Sequence, residues 1–254
     1  MNTNVANLYQ TLTGGSTFNN AISSFQRLKI NNYTDGDLFF QKFGVGNVIQ
    51  VENLPYERFI CYEALLDILK KIDEKKFYEM HKGTPYFYLC WLAFDLNNFE
   101  KALFYMDCAI GEDIRAVGDE WVNSPMAKFL TFELIGNPAD RTVKRLRIII
   151  EKLFGEYNAK LNDDLVLENF SKKFVIDSIK NDNLNRSIIT GLYSFIVEKN
   201  ELEVLINLRS IPKGTIEPWL IHLFKGGLLF ESIVKLKFPK KDCGDGIITL
   251  GDLR

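Results

Sequence analysis

Histidine is nearly absent from this sequence: His81 and His222 are the two in 254 residues. Cysteine is sparse as well, and Cys61, Cys90, Cys108 and Cys243 form no Cys-x-x-Cys pair, so no His/Cys cluster has the spacing of a zinc site. Net charge is lacking too. The 31 Lys and Arg against 33 Asp and Glu leave −2, which argues against a protein that coats nucleic acid by neutralising phosphates. Proline is scarce, at 7 residues. That suits long uninterrupted helices, because an interior proline costs ~3 kcal/mol.

Long apolar runs are missing. The densest, Tyr86 to Phe94, falls far short of the ~20 residues a spanning helix needs. Met1 to Gln10 carries no positive region followed by an apolar stretch, so no secretory signal is visible, and the expectation is a cytoplasmic protein with reduced cysteines. Phosphate and nucleophile motifs are absent. There is no Gly-x-x-x-x-Gly-Lys-Ser/Thr loop and no Gly-x-Ser-x-Gly elbow, and Gly44-x-Gly46 lacks the third glycine of a dinucleotide fingerprint. A calcium loop turning at Gly246 fails because Lys241 and Cys243 stand at its first ligand positions. No cofactor and no metal are expected.

What the sequence has is aromatic bulk: 20 Phe, 10 Tyr and 3 Trp, enough to fill a sizeable core in one large domain or two small ones. Apolar residues recur at helical spacing over most of the chain, and the predicted fold class is all-α, built of antiparallel helical hairpins. Three segments are expected. Residues 1–53 read as a mixed, irregular stretch in which Leu38-Phe39-Phe40 and Val48-Ile49-Gln50-Val51 flank Gly44 to Asn47 as a small β-hairpin near the N-terminus. Residues 54–240 read as the helical-hairpin domain, with Pro55 in the first turn of one helix and Thr84-Pro85 as cap and first residue of another. Residues 241–254 read as a loop and the start of a helix, because Thr249-Leu250-Gly251-Asp252 has capping-box spacing. That helix either frays or continues into a longer protein of which this chain is a fragment.

Tyr86 to Asp113 reads as two helices joined at Asn97-Asn98. Tyr86, Leu89, Cys90, Phe99, Ala102, Met106 and Ala109 follow the large–large–small–aromatic–small–large–small order of a tetratricopeptide repeat, and the segment resembles one such unit. The turn glycine is replaced by Asn97 and the closing proline by Ile114. Leu192 to Leu208, with Asn200 at a turn, echoes the pattern more faintly. The hairpin belongs either to a divergent repeat array or to an irregular helical domain. The resemblance implies binding of a peptide or protein partner. His222 to Lys235, with Gly226-Gly227-Leu228-Leu229-Phe230-Glu231, resembles helical regions that precede HEPN-type ribonuclease domains. The catalytic Arg-x(4–6)-His of that family does not occur, so such a nuclease part would lie outside this chain.

Charge offers one feature. Arg141, Lys144, Arg145 and Lys152 share a helical face opposite the stripe of Val143, Leu146, Ile149, Ile150 and Leu153, with Arg147 nearby. The strip is either an ordinary solvated face or a binding patch for phosphate or an acidic partner. The acid pairs Glu112/Asp113, Asp119/Glu120 and Asp163/Asp164 read as solvated surface, since neighbours on a helix diverge by ~100°. Both histidines read as structural. The expected function is a non-catalytic interaction module (adaptor, sensor or regulatory part) that binds a protein or peptide, with self-association open and no membrane partner. The alternative is the recognition portion of a nucleic-acid-cleaving protein. An inhibitor acting by occlusion fits equally well.

Overall fold

The computed structural model of the protein describes residues 3–46, 53–133, 140–207 and 217–237, and every regular element among them is helical. The opening segment holds three ten-residue helices, α1 (Thr3–Leu12), α2 (Phe18–Arg27) and α3 (Thr34–Phe43). Thr17 caps α2 by accepting from the Asn20 amide. Leu38 to Phe40, expected as one arm of a hairpin, instead lie inside α3. The three phenylalanines of that stretch, Phe39, Phe40 and Phe43, bury at helical spacing while Leu38 faces outward, and Asp35 and Asp37 sit in the first turn, where the helix dipole favours them. The other expected arm, Val48 to Val51, lies outside the described residues.

Pro55 opens α4 (Pro55–Ile72), as its fixed φ allows. Asp73 caps the short α5 (Glu74–Glu79), accepting from the Lys76 amide. Next come α6 (Gly83–Asp95) and α7 (Phe99–Val117), paired as a hairpin. Asn97 takes the left-handed conformation that a repeat would give to glycine, at φ 56°, and the Asn97 and Asn98 amides close the end of α6 on the Phe94 and Ala93 carbonyls. Cys90, Ala102 and Ala109 are all buried between these helices, small enough for close approach. A 3-10 turn (Gly118–Asn123) leads to α8 (Pro125–Leu130), capped by Ser124.

Helix α9 (Asp140–Leu161) buries Val143, Leu146 and Ile150 of the stripe expected of it, with Ile149 and Leu153 half-buried. A short α10 (Leu167–Asn169), a π-helical stretch (Phe170–Ile176) and α11 (Asp177–Asn181) follow without a break. Then α12 (Asn185–Asn207) runs straight through Asn200, so the turn expected there is absent and the second repeat-like unit has no hairpin. The last described helix, α13 (Glu217–Lys237), packs on α12.

At the centre lies α6. Leu89, Cys90, Trp91, Leu92, Ala93 and Phe94 are buried one after another, so this helix has no solvent face along that run. It is flanked by α3, α4, α7 and α9. Tyr62 of α4 and Tyr88 of α6 stack at 6.1 Å, and the Tyr62 hydroxyl accepts from the Gly46 amide at 2.9 Å. A Cβ at Gly46 would stand 2.6 Å from that hydroxyl, so glycine is required for the approach. Across the molecule, Tyr193 of α12 is buried and donates to the Leu130 carbonyl at the end of α8 (2.9 Å).

Tyr193→Phe leaves that buried carbonyl without a donor and lowers unfolding free energy by about 1–3 kcal/mol in urea titrations, with the m-value unchanged. Tyr56→Phe, on an exposed ring, stays within about 0.5 kcal/mol of the parent. Equal effects of the two substitutions would contradict the assignment.

Candidate functional site

Three elements converge at the N-terminal end of α6. Asp37 comes from the first turn of α3, His81 from the connector between α5 and α6, and Asp113 from α7. The His81 Nδ1 lies 3.1 Å from Asp37 Oδ1 and its Nε2 lies 3.2 Å from Asp113 Oδ1. Thr84 was expected to cap α6, but the helix starts at Gly83 and the Thr84 hydroxyl donates to Asp37 Oδ1 at 2.8 Å. Two glycines let these groups meet. A Cβ on Gly36 would fall 2.3 Å from the His81 carbonyl oxygen, and one on Gly83 would fall 2.6 Å from His81 Cε1 and 2.7 Å from Asp113 Oδ1.

Only 7% of His81 is exposed. Burial alone would favour the neutral ring, but hydrogen bonds to Asp113 and Asp37, together with their charges, outweigh it and raise the pKa to about 9. In the neutral range the ring is therefore an imidazolium donating to two carboxylates. It has no lone pair with which to accept a proton, and the second carboxylate occupies the position a nucleophile would need in a hydrolase triad. The nearby Ser124 hydroxyl is occupied in capping α8, where it accepts from the Ala127 amide. The arrangement is a charged clasp across three helical elements.

Next to it, Lys82 is buried. Its ammonium donates to the Phe77 and Met80 carbonyls (3.0 and 2.7 Å) and pairs with Glu112 at 3.1 Å, while its amide donates to the other Glu112 oxygen. Burial lowers the Lys82 pKa, and the charge of Glu112 opposes that shift. Glu112 and Asp113, expected as solvated surface, thus both turn inward. The divergence of neighbouring helix positions holds, and each acid serves a different cation. Asp119, Glu120, Asp163 and Asp164 are exposed, as expected.

The clasp forms one wall of a cleft of about 480 Å³. Tyr33, Phe87, Tyr88 and Met126 supply apolar surface, and Asp37, Asp113 and Glu120 supply carboxylates. The Tyr33 ring stands edge-on to His81, 6.1 Å away between centroids. A second cleft, of about 790 Å³, lies between the α6–α7 turn, α12 and α13. Beside it His222 is 2% exposed, stacked flat on Phe195 at 4.0 Å, with Nδ1 3.0 Å from Glu198. Glu198 also accepts from Lys225. Its burial works against ionisation, but the bonds from His222 and Lys225 prevail and lower its pKa.

No residue of the basic strip lines the first cleft. Lys144, Arg145 and Lys152 are exposed on α9, and Arg141 lies on the same helix. The strip is partly neutralised, since Arg147 pairs with Glu151 at 2.8 Å and Lys152 approaches Glu156 at 3.9 Å. Among the described residues, no group of three or more His, Cys, Asp or Glu side chains is placed to hold a metal ion, and no helix is long and apolar enough to cross a membrane. Compared with protein-family models, curated proteins and solved structures, the chain matches none.

The raised pKa has a thermodynamic consequence. A group that binds its proton more tightly when folded stabilises fully below its unfolded pKa, about 6.5, and loses that contribution as pH climbs through its folded value, about 9. The difference in unfolding free energy between the parent and His81→Gln is expected to be on the order of 3 kcal/mol near pH 6 and to shrink toward pH 10. Denaturant titrations across that range check it. A difference that is flat or grows with pH contradicts the clasp.

Proposed function

We infer that the chain is a non-catalytic helical interaction module that binds a protein partner. The observation that carries this reading is the outer face of α13. His222, Gly226, Leu229 and Ile233 share the face turned toward α12, and Leu220, Ile221, Leu223, Phe224, Leu228 and Phe230 lie off that face, Leu228 at the rim of the second cleft. Each of these six is exposed by about half or more, Phe224 reaching 70%. So many large apolar side chains left exposed on one helix are uncommon on a chain that works alone and mark interaction sites. Lys225, Lys235 and Lys237 exceed Glu217 and Glu231 by a single positive charge on this helix, far from the Lys/Arg-rich polar face that draws amphipathic helices to anionic lipid. Such a surface suits a protein face better than a bilayer.

The helical hairpin of α6 and α7 is compatible with a repeat-like scaffold, although α12 supplies no second unit. Lys144, Arg145 and Lys152 on one face of α9 favour the second reading, recognition of nucleic acid on behalf of a nuclease part, but the neighbouring carboxylates of Glu151 and Glu156 weaken that field.

Photo-crosslinking tests the reading. Phe224→p-benzoylphenylalanine is expected to give a discrete adduct on irradiation in cells, whereas the same side chain at exposed Lys75 gives none. An adduct of twice the chain mass identifies a second copy as the partner, and any other discrete mass a different protein. Leu223→Glu with Phe224→Glu abolishes the association while leaving unfolding free energy within about 1 kcal/mol, because both side chains already face water. No adduct at position 224, together with a strictly monomeric chain in light scattering, overturns the proposal.

A further inference from the structure

The cleft beside the clasp has a chemistry that the α13 surface does not share. The geometry points to a binding site for an organic cation, an ammonium or guanidinium group on an apolar stem, held between the carboxylates of Asp113, Asp37 and Glu120 and the rings of Tyr33, Phe87 and Tyr88.

Charge decides first. Three carboxylates face the cleft against one imidazolium, and no lysine or arginine lines it. The N-terminal end of α6, at Gly83 and Thr84, contributes roughly half a positive charge, which leaves the cleft clearly negative. An anion would meet this field unfavourably. A neutral apolar ligand would strip water from carboxylates and return nothing to them.

Hydrogen-bonding capacity points the same way. Asp113 gives one oxygen to His81, and among the described residues its Oδ2 accepts from no donor, although the side chain is only 13% exposed. One oxygen of Glu120 accepts from Asn123, and among the described residues the other accepts from no donor. A fork of N–H donors would satisfy both oxygens, and charge-assisted bonds are the stronger kind. Aromatic walls complete the fit, since ring faces attract cations and the stem of such a ligand is apolar. A bare divalent metal fits poorly. Both nitrogens of His81 already serve as donors to carboxylates, so the ring offers no lone pair for ligation, and no group of acidic and imidazole side chains among the described residues is placed to enclose an ion. The volume, about 480 Å³, suits a small ligand or one projecting side chain.

The cation could be a free amine or guanidine, or a lysine or arginine side chain on a polypeptide. Calorimetric titration separates these with three probes: agmatine, its neutral analogue N-butylurea, and a capped pentapeptide of glycines with one central arginine. Agmatine is expected to bind the parent chain with a Kd on the order of 0.1 mM, and N-butylurea at least about tenfold more weakly. Glu120→Gln, on an exposed side chain away from the clasp, weakens agmatine about three- to tenfold without moving the thermal midpoint. Asp113→Asn weakens it further, and circular dichroism verifies that this variant still folds. Binding of agmatine alone identifies the free small molecule as the source. Binding of both agmatine and the pentapeptide shows that a polypeptide side chain can reach the cleft. Absence of agmatine binding at about 10 mM, equal affinity for N-butylurea, or an unchanged Kd in Glu120→Gln and a folded Asp113→Asn overturns the assignment. Because Leu223→Glu with Phe224→Glu leaves the cleft intact, loss of the α13 association and loss of cation binding are separately readable.

Discussion

A helix that buries six consecutive residues, Leu89 to Phe94, needs packing neighbours on every side of that run, and the rest of the architecture answers that constraint. The exit is closed by the backbone: the left-handed Asn97 returns two amides to the carbonyls of the last turn. At the entrance, where no side chain caps the helix, Glu112 accepts from the Lys82 amide and charged side chains from other elements gather around it. Lys82 ties off the carbonyls that end α5 and pairs with Glu112, and His81 bridges Asp37 and Asp113. Burial of apolar surface supplies the driving force, and this ring of charges fixes the one arrangement of α3, α6 and α7 in which no charge is stranded.

The same closure determines what chemistry the region can perform. A histidine flanked by one carboxylate is a candidate base, whereas one flanked by two is held as a cation with both donors engaged. His81 belongs to the second kind, which makes it a strut with an electrostatic by-product. It engages both oxygens of Asp37 but one of Asp113, and both carboxylates line a cleft with aromatic walls. Structure and recognition therefore share the same side chains. The outer face of α13 is unrelated to this closure, and its leucines and phenylalanines stand about half exposed or more.

The helical class was legible in the sequence because its signals are local. Pro55 in a first turn, the 3.6-residue stripe of α9 and the small residues between α6 and α7 each act within one or two elements. The middle of α3 was misread because Leu38-Phe39-Phe40 is an aromatic-rich run that strands also favour. What decided it was Phe43, one helical turn beyond Phe39, together with acids in the first turn. Asn200 was misread because asparagine often breaks helices, yet α12, anchored by buried Ile189, Tyr193 and Val197, runs on through it to Asn207. The clasp was not legible. Its members lie 44 and 32 residues from His81, and nothing in their spacing announces that they meet. The available hint was glycine, since Gly36 adjoins Asp37 and Gly83 stands two positions after His81, where backbones must approach closely.

The charge state of His81 is the point on which the account turns, and nuclear magnetic resonance reads it directly. With imidazole nitrogens labelled, the folded protein is expected to show both ring nitrogens of His81 protonated throughout the neutral range, with the titration midpoint near pH 9. A midpoint at or below the ordinary value of about 6.5, with one ring nitrogen unprotonated at neutrality, would contradict the doubly clamped imidazolium and reopen His81 as a base.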